Sequence, residues 1–149
     1  MEVVIFDLDG TLALIDKRRT IATMENGKIN WKTFFGPDNI SLDEPNWPVI
    51  KTFKAMKAAG FTVGIFSGRD SISRKETEYW LELYGIEPDF LKMRKQGSFI
   101  PDDKLKKLWL DDLIAEGKTV MCVFDDRDKV IKMWRENGIS AFQVAPGNF

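Results

Sequence analysis

The sequence predicts an α/β fold: a three-layer sandwich around a central parallel five-stranded sheet, with a small flap inserted after the first strand. Three observations carry this. Short continuous apolar runs rich in β-branched and aromatic residues recur along the chain, and such runs read as strands buried on both faces. Segments of helical period, several closed by glycine, lie between them. The two kinds then alternate to the end, which is the pattern of a parallel sheet with helices on its faces.

The first run, Val3 to Phe6, leads straight into Asp7-Leu8-Asp9-Gly10-Thr11-Leu12. Residues 13–45 lose any period and carry Lys17-Arg18-Arg19, an Asn26-Gly27 turn, Trp31, Phe34-Phe35 and Gly36-Pro37. That is long for a plain connection, and such segments are usually lids or binding loops. We read a flap over the strand ends, with one short helical turn near 31–35 and its aromatics pinning it to the body; a decorated surface loop is the simpler alternative. A helix follows from about Asn46, which can cap it, with Pro48 tolerated in the first turn. Val49, Ile50, Phe53 and Met56 form its apolar face and Gly60 ends it.

Phe61 to Phe66 is the second strand and delivers the chain into Ser67-Gly68-Arg69. The next helix spans about 71–84, with Tyr79, Trp80, Leu83 and Tyr84 as its apolar residues, before a short strand from Phe90 to Met93. A third helix starts near Asp102 with Leu105, Leu108, Trp109 and Leu113 as its inner stripe. Thr119 to Phe124 is a strand ending in Asp125-Asp126-Arg127. A fourth helix, about 128–137, buries Val130, Ile131, Met133 and Trp134, and Ile139 to Val144 is the last strand. No repeat, low-complexity segment or linker interrupts this order, so residues 1–149 are expected to form a single domain with the flap at about 13–45.

Composition limits the chemistry. The 149 residues hold 22 basic and 23 acidic side chains, a net charge of -1, which argues against wholesale coating of a duplex but not against binding a strand end. The one cysteine, Cys122, sits inside an apolar run and reads as packing, so neither a disulfide framework nor a cysteine metal site is available. There is no histidine, which excludes Ser-His-Asp and Cys-His catalysis. Acid–base work must fall to carboxylates or lysine. With no signal peptide and no apolar run of membrane length, a cytoplasmic location is expected.

Asp7 and Asp9, Ser67 and Arg69, Asp102 and Lys106, and Asp125 and Asp126 all fall after strands or at a helix start. In a parallel sheet those positions share one edge, where ligands bind in open α/β folds. Carboxylates pressed together there repel one another, and are tolerated if a cation sits between them or one takes up a proton. A hard, oxygen-seeking ion such as Mg²⁺ suits the cluster. Together with Lys106, Arg69 and the Ser67 hydroxyl, it describes a site for a phosphoryl group, whose oxygens need positive charge and donors. The remaining nucleophiles are a carboxylate or an activated water. Gly117-Lys118-Thr119 is not a P-loop, because position 112 is aspartate and the order runs helix to strand.

Four motifs, F-D-L-D-G-T at 6–11, S-G-R at 67–69, D-D-x-x-K at 102–106 and F-D-D-R at 124–127, resemble the haloacid dehalogenase (HAD) superfamily of phosphotransferases. More narrowly, D-D-R…V-x-x-M-W-R at 125–135 and Q-V-A-P-G-N-F at 143–149 resemble the 3′-phosphatase domain of phage-type polynucleotide kinase. The resemblance covers nearly the whole chain and implies a HAD-like, Rossmannoid sheet. It implies Asp7 as the nucleophile that forms an aspartyl-phosphate and Asp9 as general acid/base. Mg²⁺ would be held by Asp7, the backbone carbonyl of Asp9 and an aspartate of the pair Asp125 and Asp126. Ser67 and Lys106 would bind the transferring phosphate, with Arg69, Gly68 and Thr11 close by, and Asp102 would orient Lys106. Arg18 falls where the family places a flap arginine, with Lys17 and Arg19 flanking it.

The expected activity is therefore Mg²⁺-dependent hydrolysis of phosphomonoesters, with phosphorylated nucleic-acid ends or nucleotides as partners and a polynucleotide 3′-phosphate as the favoured substrate. A nucleoside monophosphatase or other small-molecule phosphatase is the alternative. A non-catalytic phosphate-binding module and a receiver domain are further readings; turnover of a generic phosphoester separates the enzyme from both. Asp102 as a simple helix cap, Arg127 as a plain ion-pair partner, and the lysines of 92–95 and 104–107 as solvated faces are the plainer assignments for those residues.

Overall fold

The computed structural model of the protein describes residues 2–149. Strand β1 (Glu2–Phe6) is followed by the insertion, which opens and closes on a short antiparallel pair, β2 (Ala13–Leu14) and β3 (Glu44–Pro45). Between them lie helix α1 (Asp16–Ala22), helix α2 (Trp31–Phe34) and a 3₁₀ turn over Pro37–Leu42. The body then alternates α3 (Trp47–Ala58), β4 (Thr62–Asp70), α4 (Arg74–Leu83), β5 (Phe90–Arg94), α5 (Asp102–Ala115), β6 (Thr119–Asp125), α6 (Asp128–Glu136) and β7 (Ser140–Gln143).

The main sheet is parallel throughout, in the order β5-β4-β1-β6-β7. Successive crossovers run outward from β1 on one side and then, after β5, on the other. The strand order therefore reverses around β1, and the crevice beyond its carboxyl end is the natural ligand site. Side chains of β1 alternate between two cores. Val4 and Phe6 pack with Ile50 and Phe53 of α3 and Trp80 and Leu81 of α4. Val3 and Ile5 pack with Leu110 and Leu113 of α5 and Val130, Met133 and Trp134 of α6. Burial on both faces is what the unbroken apolar run required, and the three layers follow from it.

Local details differ from expectation where helix faces are concerned. On α4 the buried positions are Thr77, Trp80 and Leu81, one i, i+3, i+4 stripe, while Tyr79 and Leu83 are exposed. On α5 Leu110 is buried and Leu108 exposed. In both helices apolar residues occupy more of the circumference than one sheet face can cover, so composition alone does not choose the stripe. The flap also holds more order than a single turn, because α1 precedes α2. Asn46 stands at the N-cap of α3, yet its side chain does not cap; Nδ2 donates to the Thr11 carbonyl at 2.8 Å, tying the exit of the flap to its entrance. Phe34 packs with Ile15 and Ala22 within the flap, and Trp31 stays largely exposed. No helix among the described residues is long and apolar enough to cross a membrane.

Candidate active site

Parallel pairing of β1 with β6 brings their carboxyl ends level, and the Asp7 N–H donates to the Phe124 carbonyl at 2.9 Å. Asp7, the residue after β1, therefore lies beside Asp125, the last of β6. Lys106, in the first turns of α5, reaches between them: Nζ donates to Asp7 Oδ1 at 2.8 Å and to Asp125 Oδ2 at 2.9 Å. Thr11 donates to Asp7 Oδ2 at 3.1 Å, and Asp125 Oδ1 accepts from the N–H of Asp126 at 2.8 Å. Gly10 (φ +80°) is required where it stands, since a Cβ there would lie 2.0 Å from Asp126 Oδ2.

Asp7, Asp125 and Asp126 are all buried, with carboxylate oxygens within 4.8 Å of one another. Burial, then the charge of Asp125, raises the Asp7 carboxyl well above its ordinary range, against the pull of Lys106. The same two causes, burial and Asp125, push Asp126 up to about 6. Burial would lower the Lys106 ammonium, but the charges of Asp125, Asp7 and Asp102 more than offset it, and Lys106 stays protonated. Three hard oxygen donors facing one ammonium leave negative charge uncompensated. That donor set fits a divalent cation of the Mg²⁺ type, with Asp7, Asp125 and Asp126 as the side chains able to hold it.

The Asp9 carboxylate does not join this trio; it belongs to a second buried cluster. Its Oδ1 accepts from Arg18 Nη2 at 2.6 Å and Arg69 Nε at 2.9 Å. Both guanidinium groups are fully buried and both are shared with Asp43, which accepts from Arg18 Nε at 3.0 Å, Arg18 Nη2 at 2.9 Å and Arg69 Nη2 at 2.7 Å. Two arginines thus face two aspartates, and the flap (Arg18, Asp43) is locked to the body (Asp9, Arg69). Burial alone would raise the Asp9 carboxyl, but the charges of Arg69 and Arg18 and their hydrogen bonds pull it down to about 2. Its Oδ2 is left clear of both arginines.

Asp43 was not among the expected residues. The signal for it was indirect: two arginines destined for burial against one aspartate require a second anion.

Asp102 faces the cleft and acts on Lys106 through its charge, with no hydrogen bond between the two side chains. Its carboxylate is held by Arg94 Nη2 at 2.6 Å and Arg127 Nη1 at 3.2 Å, so Arg127 is an ion-pair partner. Gly68 matters by its lack of a side chain, since a Cβ would lie 2.4 Å from Asp102 Oδ1. Ser67 is buried; its Oγ accepts from the Arg69 N–H at 3.1 Å, which leaves its own O–H to donate.

A cleft of about 720 Å³ opens over this floor, lined by Asp7, Asp9, Gly68, Lys106, Asp125 and Asp126 below and by flap and loop residues above. Arg18, Arg69 and Thr11, expected at the substrate, are fully buried and do not line it; they act on Asp9 and Asp7 from behind, and Ser67, expected to bind the phosphate, is likewise buried and outside the lining. Arg19 does line it.

Residues 1–149 match the family described as the polynucleotide kinase PNKP phosphatase domain. A protein of Autographa californica nuclear polyhedrosis virus, described as a bifunctional polynucleotide kinase/RNA ligase, is 32% identical over 136 residues, covering 89% of this chain and 18% of the viral protein. A chain of the solved Pnkp1/Rnl/Hen1 complex is 33% identical with a TM-score of 0.80, over 99% of this chain and 47% of that one. The chain therefore spans only part of the length of either relative. A phosphoserine phosphatase solved as a phospho-aspartyl intermediate analogue shares the fold at 15% identity, with a TM-score of 0.60 over 99% of this chain and 93% of that one.

Proposed function

The chain belongs to the family of the polynucleotide kinase PNKP phosphatase domain and is a phosphatase of the HAD type; on that premise we propose that it removes the terminal phosphate from 3′-phosphorylated nucleic-acid ends through an aspartyl-phosphate on Asp7. The observation that carries the chemistry is the Asp7 carboxylate, held on the cleft floor by Lys106 and Thr11 at the end of β1. An oxygen of Asp7 attacks phosphorus, the bond to the sugar oxygen breaks, and that oxygen takes up a proton. Water then attacks the acyl phosphate, losing a proton as phosphate leaves and Asp7 is restored.

Asp9 is the group placed to move both protons. Its Oδ1 is taken by two guanidinium groups, so the transfer falls to Oδ2, on the side chain that lines the cleft. A carboxyl held near 2 is a base at rest, and the negative charge of an arriving phosphate raises it toward the range of an acid. Lys106, which lines the cleft, supplies positive charge to the phosphoryl oxygens. When bound by Asp7, Asp125 and Asp126, Mg²⁺ would supply the positive charge these carboxylates lack and admit an anionic substrate.

Support for a nucleic-acid end comes from the family and from the relatives, one described as a polynucleotide kinase/RNA ligase and one found in a complex with Rnl and Hen1. A nucleoside monophosphatase is the second reading, favoured by a cleft volume of about 720 Å³, which lies within the range of small-molecule sites. Phosphate release should be compared at matched concentrations for a 3′-phosphorylated oligonucleotide, its 5′-phosphorylated isomer, and free nucleoside 3′- and 5′-monophosphates. Preference for the 3′-phosphorylated oligonucleotide is the expected result. Preference for the free 5′-monophosphate overturns the end-directed reading and leaves the phosphatase chemistry standing.

A further inference from the structure

The cleft has a charged floor and an aromatic rim. Trp31 is 60% exposed, Phe99 94% and Phe149 51%, and all three line the same cleft as the catalytic carboxylates. Aromatic surface left in water forgoes the stabilisation that burial would bring, so its concentration at a cleft mouth needs a reason.

Phe99 does not owe its exposure to a loose loop. Arg94 grips the segment that carries it, donating from Nε to the Gly68 carbonyl at 2.9 Å, from Nη1 to the Ile100 carbonyl, and from Nη2 to Asp102 at 2.6 Å. The Gly97 N–H adds a bond to Asp70 Oδ2 at 3.3 Å. Trp31 is held as firmly on the other side. It starts α2, whose N-cap Asn30 accepts from the Thr33 N–H at 3.2 Å, and its ring stacks on Phe35 at 5.8 Å and meets Phe34 edge-on at 5.4 Å. Positive charge is interleaved with these rings. The guanidinium groups of Arg19 and Arg127 lie over the Phe149 ring at 5.5 and 5.4 Å, and Lys32 lines the cleft next to Trp31.

Flat apolar faces alternating with cations, in a groove that leads to a phosphate site, are the chemistry of an unpaired strand. Every base offers a π-face for stacking, and every linkage offers a negative charge. In a duplex those faces are already stacked on neighbouring bases. A protein partner seated on the same rim would close the cleft that the substrate has to enter.

We propose, on the strength of the end-directed reading above, that Trp31 and Phe99 stack on the last unpaired nucleobases of a single-stranded 3′-phosphorylated end, while Arg19 and Arg127 take the phosphodiester that precedes them. The rim then selects frayed or single-stranded ends, and the floor performs the chemistry whatever the base.

The test compares two 3′-phosphorylated single strands of the same length, one with natural bases and one whose last two nucleotides are abasic, in steady-state phosphate release. The wild-type protein is expected to favour the base-bearing strand in kcat/KM by about 10-fold or more, mainly through KM. Phe99→Ala should bring that ratio close to one, and Phe99→Trp should keep it. Because Phe99 is almost wholly exposed, its variants should melt with the wild-type protein. Trp31→Ala and Trp31→Phe repeat the comparison on the flap side. Equal turnover of the two strands by the wild-type protein, or a ratio that survives in both alanine variants, overturns the stacking role and leaves the 3′-phosphatase reading intact. Faster turnover of a free 5′-mononucleotide than of either strand overturns both.

Discussion

Asp7 and Asp9 stand two positions apart, yet their surroundings drive the two carboxyl groups in opposite directions. Asp7 is raised by burial and by Asp125, whereas Asp9 is drawn down to about 2 by two arginines. Divergent environments of this kind assign different work to two copies of one side chain. Asp7→Asn removes the nucleophile and one of three mutually repelling charges, so turnover should vanish while the melting temperature is kept or raised. Asp9→Asn removes proton transfer together with one of the two anions facing Arg18 and Arg69, so the comparison between two leaving groups is what isolates the chemical role. With an alkyl phosphate the loss should be about 10²- to 10⁴-fold. With an aryl phosphate, whose leaving group needs no proton, it should be far smaller. Rate measurements on the two substrates decide this, and equal losses would remove the acid/base role from Asp9.

At the scale of elements, the flap is fastened to the body by buried charge as well as by apolar contact. Arg18 comes from α1, Asp43 from the end of the 3₁₀ turn, Arg69 from β4 and Asp9 from the loop after β1, and Arg69 Nη1 also donates to Thr77 of α4 at 3.0 Å. Trp80 Nε1 donates to the Asp43 carbonyl at 3.0 Å and pins the same corner. Asp43→Asn leaves two buried guanidinium groups short of an anion, a defect that costs roughly 3–5 kcal/mol, to be read by denaturant unfolding. The same lock gives an acid limit with a definite sign. The folded Asp9 carboxyl, at about 2, lies below the unfolded value of about 3.9, so its contribution is complete above pH ~4 and is lost as pH falls toward 2. Acid unfolding of the wild-type protein in that window, with a smaller pH dependence in Asp9→Asn, is the expected outcome.

For the whole molecule, the uncompensated trio links stability to cation binding. Protons and a divalent ion compete for Asp7 and Asp126, both raised above the ordinary carboxylate range, Asp126 to about 6. Millimolar Mg²⁺ should therefore raise the melting temperature at pH 7.5, and the rise should shrink as pH falls through about 6. A rise independent of pH would place the ion elsewhere. Architecture of this kind is legible in the chain because it depends on near neighbours. The run Val3 to Phe6 is continuous since β1 is covered on both faces, and Asp7 and the pair Asp125 and Asp126 stand where β1 and β6 end, whereas β4 runs past Phe66 and carries Ser67 and Arg69 within itself, and Asp102 opens α5. From those facts follow the parallel sheet, the shared edge, and the gathering of Asp7, Lys106, Asp125 and Asp126. Partner choice is different in kind, because it is settled between groups far apart in sequence. Whether Leu108 or Leu110 turns inward on α5 depends on the face that the sheet presents. That Asp102 pairs with Arg94 and Arg127 rather than Lys106, and that Asp43 completes the cluster around Asp9, depends on which charges burial forces into contact. Hydrophobic period and the need to offset clustered charge are written along the chain, and the fold and the gathering of carboxylates around Lys106 follow from them. Which charge neutralises which emerges on folding, since that balance is struck between elements whose approach no local pattern encodes.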